Sequence, residues 1–247
     1  MSLRSFFALL ATAATGSCFA QGGPPMITDD PGTPPVGRFE LNFAYTVTRH
    51  FGSLEVGLPL IDLAFGATPN LQLKVEAPWL LVNDGGSSAR NLGPGNIGIK
   101  WRFQDETPGM PAISIFPQVE APVSQRSVDD GLADPATGFL LPVEVQWHSG
   151  RLGFNADAGV LARSGSSPDW FAGLATSRGV GPNDEAIAEV HVEGSTGERN
   201  LDCIAQLGWR HGLSEDSTLI VAVGRSLFTQ RLPMTRFNGY FGIQLRF

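Results

Sequence analysis

Through most of this chain apolar residues take every second position, with polar residues between them. In the last stretch Phe237, Phe241, Ile243, Leu245 and Phe247 alternate with Asn238, Tyr240, Gln244 and Arg246. Successive strand residues face opposite ways, so such a segment has one oily face and one polar face. The pattern recurs over residues 38–49, where Phe39, Leu41, Phe43, Tyr45 and Val47 share a face, and over 54–65, 71–81, 96–104 and 112–123. It continues over 139–148, 151–163, 169–177, 185–193, 200–210 and 218–226, with 169–177 the weakest because both its faces are mixed. In the second segment Leu54, Val56 and Leu58 are the oily set, but from Ile61 onward it is Ile61, Leu63 and Phe65. Pro59 lies at the change of parity, and a proline at a face switch marks a β-bulge.

These segments predict an all-β chain of about twelve strands, an even number in the range of single-chain bacterial barrels. A sheet in lipid cannot keep open edges, so the last strand must pair with the first. The expected fold is a closed, antiparallel, up-and-down transmembrane β-barrel over residues 38–247. Loop lengths agree: with the N-terminus periplasmic, the predicted inner turns are short. The longest connections, 83–95, 124–138 and 227–235, fall outside. The tryptophans avoid mid-strand: Trp101, Trp147 and Trp209 sit near inner strand ends, Trp79 and Trp170 near outer ones. Interfacial aromatic girdles require that placement.

Residues 1–20 read as a signal peptide, with Arg4 as the charged start, Phe6 to Ala14 as the apolar run and Ser17 to Ala20 as a small-residue cleavage site. The mature chain is expected to begin at Gln21. Cleavage would remove Cys18 and leave Cys203 alone, so no internal disulfide is expected. It would also leave 16 basic against 24 acidic residues, a balance that argues against nucleic acid as a partner. Residues 21–37 (QGGPPMITDDPGTPPVG) are too rich in Pro and Gly for a ladder. They read as a periplasmic arm, either loose or tucked into the barrel mouth.

The strings ITDDPGTP, GRFELNFAY, LPLIDLAFG, LQLKVEAPW, GNIGIKWRFQD, FLLPVEVQ, GRSL and GIQLRF resemble a family of outer-membrane barrels labelled for the meta-pathway of phenol degradation, whose members are called transporters. The resemblance runs over nearly all of residues 21–247. It implies an outer-membrane barrel and a solute that is an aromatic compound or its degradation product. The aromatic C-terminus at Phe247 also resembles the terminal strand of bacterial outer-membrane barrels. It implies the barrel-assembly machinery as a partner beside outer-membrane lipid.

With the oily face toward lipid, the lumen receives Glu40, Lys74, Glu76, Lys100, Arg102, Glu120, Glu144, Gln146, Asp157, Glu189, His191, Glu193, Asp202, Arg210 and Arg246. Lys100 and Arg102 lie between strands bearing Glu76 and Glu120, which are their expected cross-strand partners. One reading is a salt-bridge lattice that stiffens the wall, the normal fate of buried charges. The other is a selective lining that orients a polar solute, and such a lining suits an aromatic hydrocarbon poorly. A barrel of about twelve strands leaves room for a narrow pore that a loop or the arm could block.

Passive or facilitated passage of a small solute is therefore expected, with no cofactor. Two alternatives differ in class. A barrel-wall lipid hydrolase would need a serine beside an oriented histidine. His148-Ser149-Gly150 has the wrong spacing and falls at a tight turn, and His50 has no adjacent catalytic pattern. His191 lies between Glu189 and Glu193 without the second histidine that zinc would favour. Asp29-Asp30 could hold calcium or anchor a plug, but with Pro31-Gly32 they more simply set a turn near the periplasmic rim. The second alternative is a structural or adhesive barrel acting through its outer loops.

Overall fold

The computed structural model describes residues 23–197, 200–230 and 234–247. The leader expected over 1–20 lies outside the described residues. The strands are β1 (Phe39–Arg49), β2 (Ser53–Thr68), β3 (Leu71–Asp84), β4 (Ser87–Leu92), β5 (Pro94–Gln104), β6 (Ala112–Ile115) and β7 (Gln118–Pro122). They continue as β8 (Gly138–Ser149), β9 (Leu152–Arg163), β10 (Asp169–Gly179), β11 (Asp184–Ser195), β12 (Leu201–Ser214), β13 (Ser217–Thr229) and β14 (Phe237–Arg246). Strands β4 and β5 are two parts of one barrel strand interrupted at Gly93, and β6 and β7 are two parts of another interrupted at Phe116-Pro117. Pro117 has no N–H to give the ladder. Counted this way the wall has twelve strands, each antiparallel to its neighbours in sequence.

Pairing of β1 with β14, from Glu40 opposite Arg246 to Arg49 opposite Phe237, closes the ring. Phe39 and Phe247 exchange backbone hydrogen bonds at 2.8 and 3.0 Å. Their rings stack at 5.6 Å, with Phe65 at 4.8 Å from Phe39. Every edge is thereby satisfied inside the sheet, as lipid demands.

The parity change in β2 is a bulge. Register passes from Ala44–Leu60 to Thr46–Gly57 on one side and from Leu60–Pro78 to Gly57–Leu80 on the other. Leu58 and Pro59 together thus stand opposite Tyr45 alone and Trp79 alone. After the bulge Asp62 and Ala64 point inward and are buried.

Burial is inverted relative to a water-soluble sandwich. Ile97 is 63% and Leu207 65% exposed, whereas Lys100 is 2% and Glu144 0% exposed. Oily side chains face out, and ionisable ones face in.

Two connections depart from expectation. The segment 83–95, expected as an outer loop, is mostly ladder: β3 runs on to Asp84 and turns at Gly85-Gly86 into β4. Its alternation is polar on both faces, so apolar periodicity could not reveal it. The long connection after β7 contains the helix α1 (Gln125–Asp129), capped by the Ser124 side chain, which accepts from the Ser127 N–H. The weakest predicted strand, β10, pairs along its whole length with β9 and β11.

Candidate functional site in the barrel lumen

Residues 23–34 lie inside the ring, held by inward side chains from opposite walls, and the chain leaves at the rim, where Val36 bridges Gly66. Arg210 of β12 donates to the carbonyls of Gly23 at 3.3 Å and Pro24 at 2.8 Å. Glu189 of β11 accepts from the N–H of Ile27 at 3.1 Å, the N–H of Thr28 at 2.5 Å and the Thr28 hydroxyl at 2.6 Å. Asp157 of β9 accepts from the Asp29 N–H at 3.1 Å. On the facing wall, Lys100 of β5 donates to the Asp30 carbonyl at 2.5 Å and pairs with the Asp29 carboxylate at 3.1 Å. Arg102 donates to the Pro31 carbonyl and the Thr33 hydroxyl, both at 3.2 Å. Acids on β9 and β11 thus take the arm's N–H groups, and bases on β5 and β12 take its carbonyls.

A sterically small wall makes room for this segment. A Cβ on Gly173 would strike the Thr28 hydroxyl and lie 2.6 Å from Asp157 Oδ1 and 3.1 Å from His191 Nδ1. Gly208 similarly clears the Met26 methyl group. Met26 is buried with Ala175, Ile187 and Ala222, and Tyr240 packs against them. Within the arm, burial pushes the Asp30 carboxyl up to about 6 against the pull of Lys100. Burial also pushes Asp29 upward, but Lys100 and Lys74 outweigh it and hold that carboxyl below its ordinary value.

The remaining inward side chains form a hydrogen-bonded belt. Arg246 bonds to Glu40 at 3.0 Å, and Gln244 bonds to Asn42 at 3.1 Å. Lys74 pairs with Asp62 at 3.1 Å and Glu76 at 3.3 Å. Ser114 donates to Glu144 at 2.6 Å, and Gln206 donates to Glu189 at 2.9 Å. Arg210 pairs with Glu185 at 3.3 Å. His191 stacks on Phe171 with ring centroids 5.7 Å apart, two residue pairs from Glu193 and Asp202 along the β11–β12 ladder.

The expected partners of the two central bases need correction. Lys100 reaches Glu144 on β8 at 3.3 Å, and Arg102 reaches Asp105 at 2.7 Å. Glu120 instead binds Arg163 at 2.5 Å. The cause is local: small Ser114 and the β6–β7 break leave a path past the intervening strand. Phe116 fills the break from inside, with Lys100 4.9 Å and Lys74 5.9 Å from its ring centroid. Sequence reasoning left Asn42, Asp62, Ser114, Phe116, Arg163, Glu185, Gln206 and Gln244 off the lining, while the arm that it placed at the barrel mouth or free in the periplasm reaches into the lumen. Asp62 was legible from the parity change at Pro59.

The lumen opens toward the end that carries the short turns, where a cavity of about 1470 Å³ is bounded by Glu40, Arg102, residues 105–111, Arg210 and Arg246. Deeper in, between the arm and the β1–β3 wall, a gap of about 40 Å³ remains. Of the histidines weighed for hydrolysis, His148 at the exposed end of β8 bonds to Glu106 at 2.7 Å. His50 meets the Thr235 hydroxyl at 3.3 Å.

Fold and lumen together define the class: a closed twelve-stranded barrel of the outer-membrane type, with a polar interior occupied by its own N-terminal segment. An outer-membrane channel from Pseudomonas putida F1 is similar at TM-score 0.71 and 14% identity, over 88% of this chain and 98% of that one. NanC porin is similar at TM-score 0.59 and 7% identity, over 83% and 98%. KdgM porin is similar at TM-score 0.57 and 10% identity, over 83% and 99%. At these identities the likeness is one of fold. No family model and no curated relative matches the chain.

Proposed function

We propose that this protein is an outer-membrane channel for passive or facilitated passage of a small polar solute, with both termini periplasmic and residues 21–37 acting as its plug. The observation that carries this reading is the set of buried ionisable and amide side chains that β1, β2, β3, β5, β8, β9, β11, β12 and β14 turn inward, with small or apolar side chains on β10 and β13 between them. In a barrel that served only as an anchor, apolar filling would be cheaper, because buried charges cost desolvation.

The lining assigned to selectivity is Lys74, Glu76, Lys100, Arg102, Glu120, Glu144, Asp157, Glu189, His191, Glu193, Arg210 and Arg246. A charged lining favours a polar solute over an aromatic hydrocarbon. The terminal strand ending at Phe247 is the segment offered to the barrel-assembly machinery, and the exposed aliphatic band contacts lipid.

Planar-bilayer recording of the refolded mature chain tests the reading, before and after the arm is cut from the wall by a protease site inserted at the exposed Pro35–Val36 junction. Ion conductance that rises on cutting is expected. Silence in both states, with lipid hydrolysis or with surface adhesion as the only activity, would replace the channel by one of its two alternatives.

A further inference from the structure

The way the arm is held says what else the lumen can hold. Across residues 23–31, five charged wall side chains bind seven main-chain groups: the carbonyls of Gly23, Pro24, Asp30 and Pro31, and the N–H groups of Ile27, Thr28 and Asp29. Side-chain polar contacts to the wall are fewer, from Thr28, Asp29 and Thr33. A lock built for this one sequence would grip side chains. This one grips mostly what every peptide has.

The sign of each contact follows peptide chemistry. Carboxylates (Glu189, Asp157) meet N–H donors, and cations (Lys100, Arg102, Arg210) meet carbonyl acceptors, so the two kinds of main-chain group are read by opposite charges. A neutral sugar's hydroxyls can donate to a carboxylate or accept from a cation at any point and so do not call for that separation, whereas main-chain N–H and C=O groups do. A peptide main chain gains a charge-assisted hydrogen bond at each point, here with residues 23–28 turned by the Gly23 N–H to Thr28 carbonyl and Met26 N–H to Gly23 carbonyl bonds, both 3.0 Å.

We infer that the lumen is a main-chain-reading peptide site and that short flexible peptides, able to turn as residues 23–28 do, are the solute class, competing with the arm for Glu189, Asp157, Lys100, Arg102 and Arg210. This role rests on the barrel being the channel proposed above. Met26 supplies the arm with a buried side chain besides, so the tethered plug outcompetes a free peptide until the arm leaves.

The test uses the whole mature chain, folded intact and then cut at the inserted Pro35–Val36 site. A fluorescently labelled peptide of residues 23–33 is added to the cut barrel in detergent, and its anisotropy is followed. Rebinding is expected. An unlabelled nine-residue Ala-Gly peptide, long enough to span the same main-chain contacts, should displace the label with an affinity about ten- to a hundred-fold below that of the unlabelled arm peptide, for want of Met26. Maltotriose at the same concentration should leave the label bound. Glu189→Gln and Lys100→Met should each weaken rebinding by about ten- to a hundred-fold, the loss of a charge-assisted contact.

No rebinding, displacement only by the arm's own sequence, or equal displacement by maltotriose would overturn the inference. If the Lys100→Met variant fails to fold, Glu189→Gln and the competitor series still decide it. Conductance of the same cut barrel is read separately, so a silent barrel that binds peptide fails the channel reading and the solute role while keeping the peptide site, and a conducting barrel indifferent to peptide fails the peptide site alone.

Discussion

Replacing Lys100 by methionine strikes the point where wall and arm are joined. The ammonium has three acceptors: Asp29 Oδ1 at 3.1 Å, Glu144 Oε2 at 3.3 Å and the Asp30 carbonyl at 2.5 Å. Methionine keeps the aliphatic stem over Phe116 and removes only the charge. Glu144, with no exposed surface, is then left with the Ser114 hydroxyl as its remaining neighbour in that trio of strands. Removing one partner of a buried pair costs about 3–5 kcal/mol, because the other charge stays desolvated. Lys100→Met should therefore destabilise the barrel by that amount in urea titrations in lipid vesicles, with fluorescence of the five tryptophans as the signal. Adding Glu144→Gln removes the orphan charge and should restore about 1–3 kcal/mol. A single variant within about 0.5 kcal/mol of the parent, or a double variant as unstable as the sum of its singles, would refute a shared buried network.

Four further outcomes follow from the same geometry. Gly173→Val should drive Thr28 out of its place, leaving a folded, heat-modifiable barrel whose arm is cut faster by an added protease; an unchanged cutting rate would show that the arm does not depend on that clearance. Once the arm is released, neutralising Lys100 and Arg102 together should shift the reversal potential under a KCl gradient toward cations; an open channel with unchanged selectivity would remove both from the lining. Ile97→Arg, on the outward face, should cost about 2–4 kcal/mol if it lies at mid-bilayer, and a cost near zero in vesicle unfolding would take that face out of lipid. Phe247→Ala should slow insertion by purified assembly machinery while leaving spontaneous refolding into short-chain lipid intact, and equal slowing of both would assign Phe247 to the seam alone.

Much of this architecture was legible because lipid enforces a strict rule: one face of every strand must be greasy along its membrane-crossing length. Leu73, Val75, Ile97 and Ile99 obey it, and their strands were placed within a few residues. The face switch at Pro59 was legible for the same reason and located the bulge opposite Tyr45 and Trp79. Where lipid imposes nothing, the rule falls silent. Ser87–Leu92 extends the ladder with no apolar face to betray it. The partners of Lys100 and Glu120 were misjudged because inward side chains are long and the tilted wall lets them reach past a neighbour, so sequence spacing fixes their face but not their mate. The arm was hardest. Its backbone is satisfied by side chains of β5, β9, β11 and β12 rather than by a ladder, and no periodicity records that.

The coupling between arm and wall also constrains how the lumen opens. Glu189 holds two arm N–H groups and the Thr28 hydroxyl, and Asp157 holds a third N–H, in a space with little residual volume. Withdrawing the arm without replacement would strand two carboxylates and three cations whose contacts it had supplied, each at a desolvation cost of several kcal/mol. Water or solute must therefore enter as the arm leaves, so unplugging and hydration are one event. A dry, empty, open barrel is not an available state. The fluid that lowers the cost of losing the arm is the same fluid through which ions would move, and for that reason release of residues 23–33 and the onset of conductance should share one threshold when denaturant is titrated against the cut barrel. Two separate thresholds would mean that the path for ions does not run through the space the arm occupies.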